Sequence, residues 1–217
     1  MKNSNEKLDL IEEIENSDQF GENELRALHL LSQDKDEEVR VRAADTLAFF
    51  DSLEAEKILI DMLDDKSGIV RASACDSLCN STSPEVLELL NKRLLYDKSS
   101  LVRGYSALSI VNIANNINYD KQKLSEFMEY ILKKEKVTWV KINLYKILIM
   151  LGDKSYLKLL IDELNNRLYR NRYVAVKRLN ELVTDENIDE IKSALIRRRK
   201  LEKSVAVRDL IDRTLNI

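Results

Sequence analysis

Turn-forming residues are nearly missing: the 217-residue chain holds four Gly and one Pro, where typical usage would be about 7% and 5%. Many short strands joined by tight turns are therefore excluded, so helices must dominate and their connections must be short. Histidine occurs once, at His29 within ELRALHLL, and is expected on a helix surface or boundary. Cysteine occurs twice, at Cys75 and Cys79. These thiols share one predicted helix face but lack C-x-x-C spacing and a second pair of ligands, so they are read as small, structural, reduced side chains. The chain has no Gly-rich phosphate loop, G-x-S-x-G elbow or H-E-x-x-H motif. No catalytic residue, metal ligand or cofactor is assigned. No apolar run reaches the roughly 18 residues of a membrane span, and the acidic, amphipathic start MKNSNEKLDLIEEIE is unlike a signal peptide. A soluble, cytoplasmic protein with no membrane partner is expected.

What is present is apolar content for a core (44%) and abundant charge (34%). The net charge of −3 hides a gradient. Residues 1–65 hold 7 Lys/Arg against 19 Asp/Glu (−12), residues 66–165 hold 15 against 11 (+4), and residues 166–217 hold 13 against 8 (+5). Such a field can orient a charged partner or a second copy of the chain, within the roughly 8 Å reach that physiological salt allows.

The stretch Asp34 to Leu47, DKDEEVRVRAADTL, recurs. Its core, V-R-x-x-A-A-x-x-L, returns as Val70, Arg71, Ala74, Cys75, Leu78 and as Val102, Arg103, Ser106, Ala107, Ile110. Weaker copies are Val140, Lys141, Leu144, Leu148; Asn171, Arg172, Ala175, Leu179; and Val207, Arg208, Ile211, Leu215. The basic positions 40, 71, 103, 141, 172 and 208 are 31, 32, 38, 31 and 36 residues apart, room for one two-helix unit per interval. Five residues before each Val-type position stands Asp34, Asp65, Asp97, Glu135, Asn166 or Glu202. An acid in the turn and a base at the start of the next helix can tie neighbouring repeats while the acid accepts helix N-terminal amides.

The periodicity predicts a capping helix within 1–16 and six repeats at about 22–50, 53–80, 83–115, 120–151, 153–183 and 185–217 in one domain. The first helices (A) run near 22–32, 53–64, 83–96, 120–135, 153–168 and 186–201; the second (B) run near 37–50, 67–80, 99–115, 137–151, 171–183 and 204–216. Ser83-Pro84 starts the third A helix, Asp120 and Asp153 cap the next two, and Gly152 ends the B helix before the fifth repeat.

LSQDKDEEVRVRAADTL, MLDDKSGIVRASACDSL and LLYDKSSLVRGYSAL together resemble HEAT repeats, in particular the short bacterial type found in phycobilisome lyases. The resemblance is clearest over residues 30–110. It implies an all-α, right-handed α-solenoid superhelix with the B helices lining a concave groove and the A helices outside. Positions two, three, six, seven and ten after each Val-type residue then face the groove. They are Val41, Arg42, Asp45, Thr46, Phe49; Ala72, Ser73, Asp76, Ser77, Asn80; Gly104, Tyr105, Leu108, Ser109, Asn112; Ile142, Asn143, Lys146, Ile147, Met150; and Tyr173, Val174, Lys177, Arg178, Glu181. Leu108, Ile142, Ile147 and Met150 either make the middle of the groove apolar or mark a wider core stripe. The candidate partner-binding set is Arg42, Asp45, Phe49, Tyr105, Trp139, Lys146, Tyr173, Lys177 and Arg178, since aromatics and Arg anchor protein interfaces. The aromatics could equally complete packing between repeats.

The function expected is a non-catalytic module holding a protein or peptide in the groove: an adaptor, an enzyme regulator, or an immunity protein whose acidic end blocks a basic toxin. A monomer or weak homo-oligomer fits. The alternative is nucleic-acid binding, as in HEAT-like alkylpurine DNA glycosylases, through Arg167, Arg170, Arg172, Lys177, Arg178 and the run Arg197 to Lys200, with Trp139, Tyr169 and Tyr173 for stacking. The acidic balance, pI 5.5, disfavours it. A bilin lyase is the further activity implied by the resemblance.

Overall fold

The computed structural model describes residues 3–17 and 20–216. Among them all regular structure is helical: α1 (Ser4–Glu15), α2 (Glu22–Leu31), α3 (Glu37–Leu47), α4 (Leu53–Met62), α5 (Gly68–Ser77), α6 (Pro84–Tyr96), α7 (Ser100–Asn116), α8 (Lys121–Lys134), α9 (Thr138–Met150), α10 (Tyr156–Asp162), α11 (Tyr169–Glu181), α12 (Ile188–Leu201) and α13 (Val205–Leu215). The expected all-α repeat fold is what forms, with even-numbered A and odd-numbered B helices. The chain divides into two compact units, Met1–Tyr119 and Asp120–Ile217. In the first, α1, α3, α5 and α7 pack side by side with α2, α4 and α6 against them; in the second, α9, α11 and α13 form the inner row and α8, α10 and α12 flank it.

The recurring letters explain this packing. Val39, Ala43, Ala44 and Leu47 are fully buried, as are Val70, Ala74 and Cys75, and Val102, Ser106, Ala107 and Ile110. Small residues in the middle of α3, α5 and α7 allow close approach of the neighbouring helix, and the larger residues at either end fill the space left. Where Ser106 replaces alanine, its hydroxyl donates to Cys75 Sγ at 3.3 Å, so the polar substitution is satisfied across the repeat junction. In the second unit the same positions converge on Leu160, Ile191 and Leu195 from the A helices and on Leu164 in the single turn that follows α10.

The helix expected as a cap has a more specific role. α1 packs on α3 as one B helix packs on the next. Its residues follow the repeat register as Glu6, Lys7, Leu10, Ile11 and Ile14, with Ile11 and Ile14 buried. Lys7 bonds Asp34 in the place an arginine holds elsewhere.

Boundaries follow local chemistry. Asp120 caps α8 by accepting from the amides of Gln122 and Lys123, and Pro84 stands at the first position of α6 after Ser83. Gly152 has φ +116°, and the amide of Asp153 reaches back to the carbonyl of Leu148, closing the end of α9. Asp153 acts just ahead of its expected place: it bonds the Ser155 amide in a turn, and α10 begins at Tyr156. α3 stops at Leu47, short of the expected 50, because the amides of Phe49 and Phe50 fall back to three-residue bonds with Thr46 and Leu47.

Candidate interaction face on the B helices

Two sets of polar ties join successive repeats. The first is in the A–B turns. Arg40 grips Asp65 through Nε (2.7 Å) and Nη2 (3.0 Å), Arg71 grips Asp97 at 2.8 Å through both nitrogens, and Arg172 grips Glu202 at 2.7 and 2.6 Å. In each case Nη1 donates to a carbonyl of the arginine's own turn, that of Asp34, Asp65 or Asn166, at 2.8 Å. All six turn residues, Asp34, Asp65, Asp97, Glu135, Asn166 and Glu202, accept the amide two positions on. Burial opposes ionisation of Asp65 and Asp97, but the arginine and amide hydrogen bonds outweigh it and hold both carboxyls below the usual range. For Glu202 burial is likewise overcome by Arg172, the Ser204 amide and Arg198, and its carboxyl is held down at about 2.

The second set lies on the B-helix face, where several candidate binding residues stand. Arg42 pairs with Glu15 of α1 at 2.6 Å, and Glu15 also accepts from Thr46. Asp45 accepts from Ser73 of α5. In the second unit, fully buried Asn143 donates to the carbonyl of Trp139 and accepts from Arg178 Nε at 2.8 Å; Arg178 and Lys146 then converge on Glu181 at 2.9 and 2.6 Å. Arg42, Asp45, Lys146 and Arg178 thus help to hold the repeats together as well as facing outward.

The remaining candidates sit as follows. Phe49, 62% exposed, lies beyond the end of α3 rather than on its face, stacked on Phe20 with centroids 6.0 Å apart, while Phe50 meets Phe20 edge-on at 5.1 Å. Tyr105 and Trp139 are half-buried. Tyr173 (38%) and Lys177 on α11 are exposed. The question about the apolar positions is decided residue by residue: Ile142 and Ile147 are core, Leu108 is half-buried, and Met150 is half exposed at the end of α9. The core stripe is therefore wider on α9 than on α3.

The change of sign along one groove-facing column was not read from the sequence. Six residues after the Val-type position stand Glu12, Asp45 and Asp76 in the first unit, then Leu108, then Lys146, Lys177 and Arg213 in the second. Glu12, Asp45, Asp76, Lys177 and Arg213 are exposed. The units as wholes follow: 13 Lys/Arg against 23 Asp/Glu (−10) in residues 1–119, and 22 against 15 (+7) in residues 120–217. Placing α1 in the repeat register was the signal that would have revealed the row.

The alternative nucleic-acid set is partly neutralised within the protein. Arg172 and Arg198 share Glu202, Arg178 pairs with Glu181, and Arg199 pairs with Asp212. His29 is exposed beside Gln33 and lines a cavity of about 660 Å³ with Phe20, Phe50 and Ile58 on the A-helix side of the first unit. Burial pushes the Cys75 thiol up to about 12, so it is a packing group and not a nucleophile. Among the described residues no cluster of His, Cys, Asp and Glu could hold a metal ion, and no helix is long and apolar enough to cross a membrane.

Comparison with known proteins accords with this geometry. Residues 25–110 match the HEAT repeats family. Among solved structures, YibA of E. coli superposes with a TM-score of 0.62 at 20% identity, over 99% of this chain and 76% of that one. The complex of CpcE and CpcF of phycocyanin lyase from Nostoc sp. PCC7120 superposes with a TM-score of 0.50 at 16% identity, over 93% of this chain and 95% of that one. At these identities the likeness is one of fold. No curated protein matches the chain in sequence.

Proposed function

We propose, for an all-α repeat chain whose residues 25–110 match HEAT repeats, that the B-helix face binds a protein or peptide partner and that the molecule is a non-catalytic adaptor, enzyme regulator or toxin-neutralising immunity protein. The observation that carries this is the charge row: acids at one repeat position on the first unit and bases at the same position on the second. A face of one sign raises the encounter rate with an oppositely charged partner and rejects like-charged ones. The first unit therefore suits a basic surface, such as that of a nuclease, and the second an acidic one. Exposed Phe49 and Tyr173 supply aromatic area beside these charges. The Nostoc neighbour is itself a complex of two chains, which accords with a protein partner.

The test is affinity capture from the native host with wild type and with Asp45→Lys/Asp76→Lys, Lys177→Glu and Tyr173→Ala, all checked for native helicity. Loss of one partner in the charge-reversed variants, by tenfold or more in affinity, supports the face. A partner retained equally by all of them removes it.

A further inference from the structure

The A–B turns carry a feature that binding on the B-helix face does not use. In every repeat the residue after the turn acid or Asn166 is basic and exposed: Lys35, Lys66, Lys98, Lys136, Arg167 and Lys203. In the first unit these bases stand among acids such as Asp36, Glu37 and Asp64. In the second unit the last two turns are held side by side by Arg172, whose Nη1 donates to the carbonyls of Asn166 and Arg167 while Nε and Nη2 hold Glu202. On this double turn Arg167, Arg170, Lys200 and Lys203 are exposed, and among the described residues none of them is in an ion pair. The turn's own acid is withdrawn, since Glu202 is buried between Arg172 and Arg198, and Asn166 replaces the acid in the other turn.

Between the bases project aliphatic tips. Leu168, Leu201 and Val205 leave 53%, 69% and 62% of their surface in water. Leu168 stands at the N-cap of α11, where Asp36 and Ser67 cap α3 and α5 with side-chain hydrogen bonds. Like Val137 at α9, Leu168 thus places an exposed apolar side chain where α3 and α5 carry a polar cap.

We propose that this edge of the second unit docks on an anionic phospholipid surface, with the aliphatic tips entering the headgroup region and the four bases meeting lipid phosphates. Apolar tips among cations that no carboxylate neutralises are what interfacial attachment requires, and it needs no spanning helix; Arg170 lies over the ring of Tyr169 but meets no acid among the described residues. Nucleic acid fits less well, because the exposed apolar side chains of this edge are mostly aliphatic, with Tyr169 alone among Leu168, Tyr169, Leu201 and Val205 able to stack on a base. A protein interface core is depleted in lysine, whereas Lys200 and Lys203 bracket Leu201.

The experiment floats the full chain with vesicles of phosphatidylcholine alone and with about 30% phosphatidylserine, at about 0.1 M salt. Binding to the serine-containing vesicles only, weakening as salt rises, is expected. Arg167→Glu/Lys200→Glu/Lys203→Glu should cost on the order of a hundredfold in vesicle affinity. Leu168→Ser/Leu201→Ser/Val205→Ser should weaken binding while keeping its salt dependence, and Lys35→Glu/Lys66→Glu/Lys98→Glu on the first unit should leave it unchanged. Wild-type protein that ignores the anionic vesicles, or binds both kinds equally, overturns the proposal. So does salt-sensitive binding to duplex DNA in preference to vesicles that the serine variant keeps in full, which would make nucleic acid the occupant. Vesicle binding is independent of the partner-capture variants, so the two ideas fail separately.

Discussion

The two units solve the same problem with different residues. In the first, every turn acid meets a base of the preceding B helix: Lys7 with Asp34, Arg40 with Asp65 and Arg71 with Asp97. In the second, Arg172 and Glu202 keep the pattern between α11 and α13, but between α9 and α11 the acid has become Asn166, and Lys141 is in no ion pair among the described residues. At that junction the B-helix face supplies the tie instead, through Asn143 to Arg178 and Lys146 to Glu181. Where the turn tie is intact, between α11 and α13, exposed Tyr173 and Lys177 remain available on the face. A junction of the second unit thus takes its polar tie from the turn or from the face, and the location of that tie decides which face residues are left for a partner.

The largest break in this comparison should come from Arg172→Ala. It leaves a fully buried glutamate side chain with much of its charge uncompensated and should cost about 3 kcal/mol or more in urea unfolding, whereas Lys141→Ala at the equivalent place should stay within about 0.5 kcal/mol. Next is acid. Because the folded Glu202 carboxyl is depressed from 4.5 to about 2, its stabilisation is fully present above about pH 4.5 and is lost as pH falls toward 2. Thermal melts over that window should show the loss, and Glu202→Gln, already destabilised at neutral pH, should show less further loss in acid. Removing the face tie with Arg178→Ala leaves the buried Asn143 oxygen without its donor, for about 2 kcal/mol in the same unfolding assay. The smallest effect sharpens the comparison by repairing it: Asn166→Asp offers Lys141 the missing acid but sets a carboxylate where the Asn166 amide donates to Glu163, so combined with Glu163→Gln it should stabilise by no more than about 1 kcal/mol. An equal response of Arg172→Ala and Lys141→Ala would abolish the distinction between the two junctions.

Much of this was legible beforehand because it repeats. The V-R-x-x-A-A-x-x-L column announced the buried stripe, and the acid five residues upstream announced the turn ties. The structure carries both, with Val39, Ala43, Ala44 and Leu47 buried and Arg40 on Asp65. Single residues between those letters were harder to place. Phe49 fits the face by counting, yet α3 ends two residues earlier and the ring stacks on Phe20. Arg178 reads as a free groove cation, yet it spans to Asn143 on the neighbouring helix. Glu6 and Lys7 fit the repeat poorly as letters, so α1 reads as a cap until Lys7 is found on Asp34.

The sequence by itself determined the helices, their pairing into repeats, the core stripe and the opposed charge of the two ends, because each follows from spacing along one chain and a helix fixes which residues share a face. Only the tertiary structure decided which face residues tie helices together and which stay in water. That choice turns on whether a side chain of one helix can reach a partner on the next, a distance that no periodicity within a helix contains.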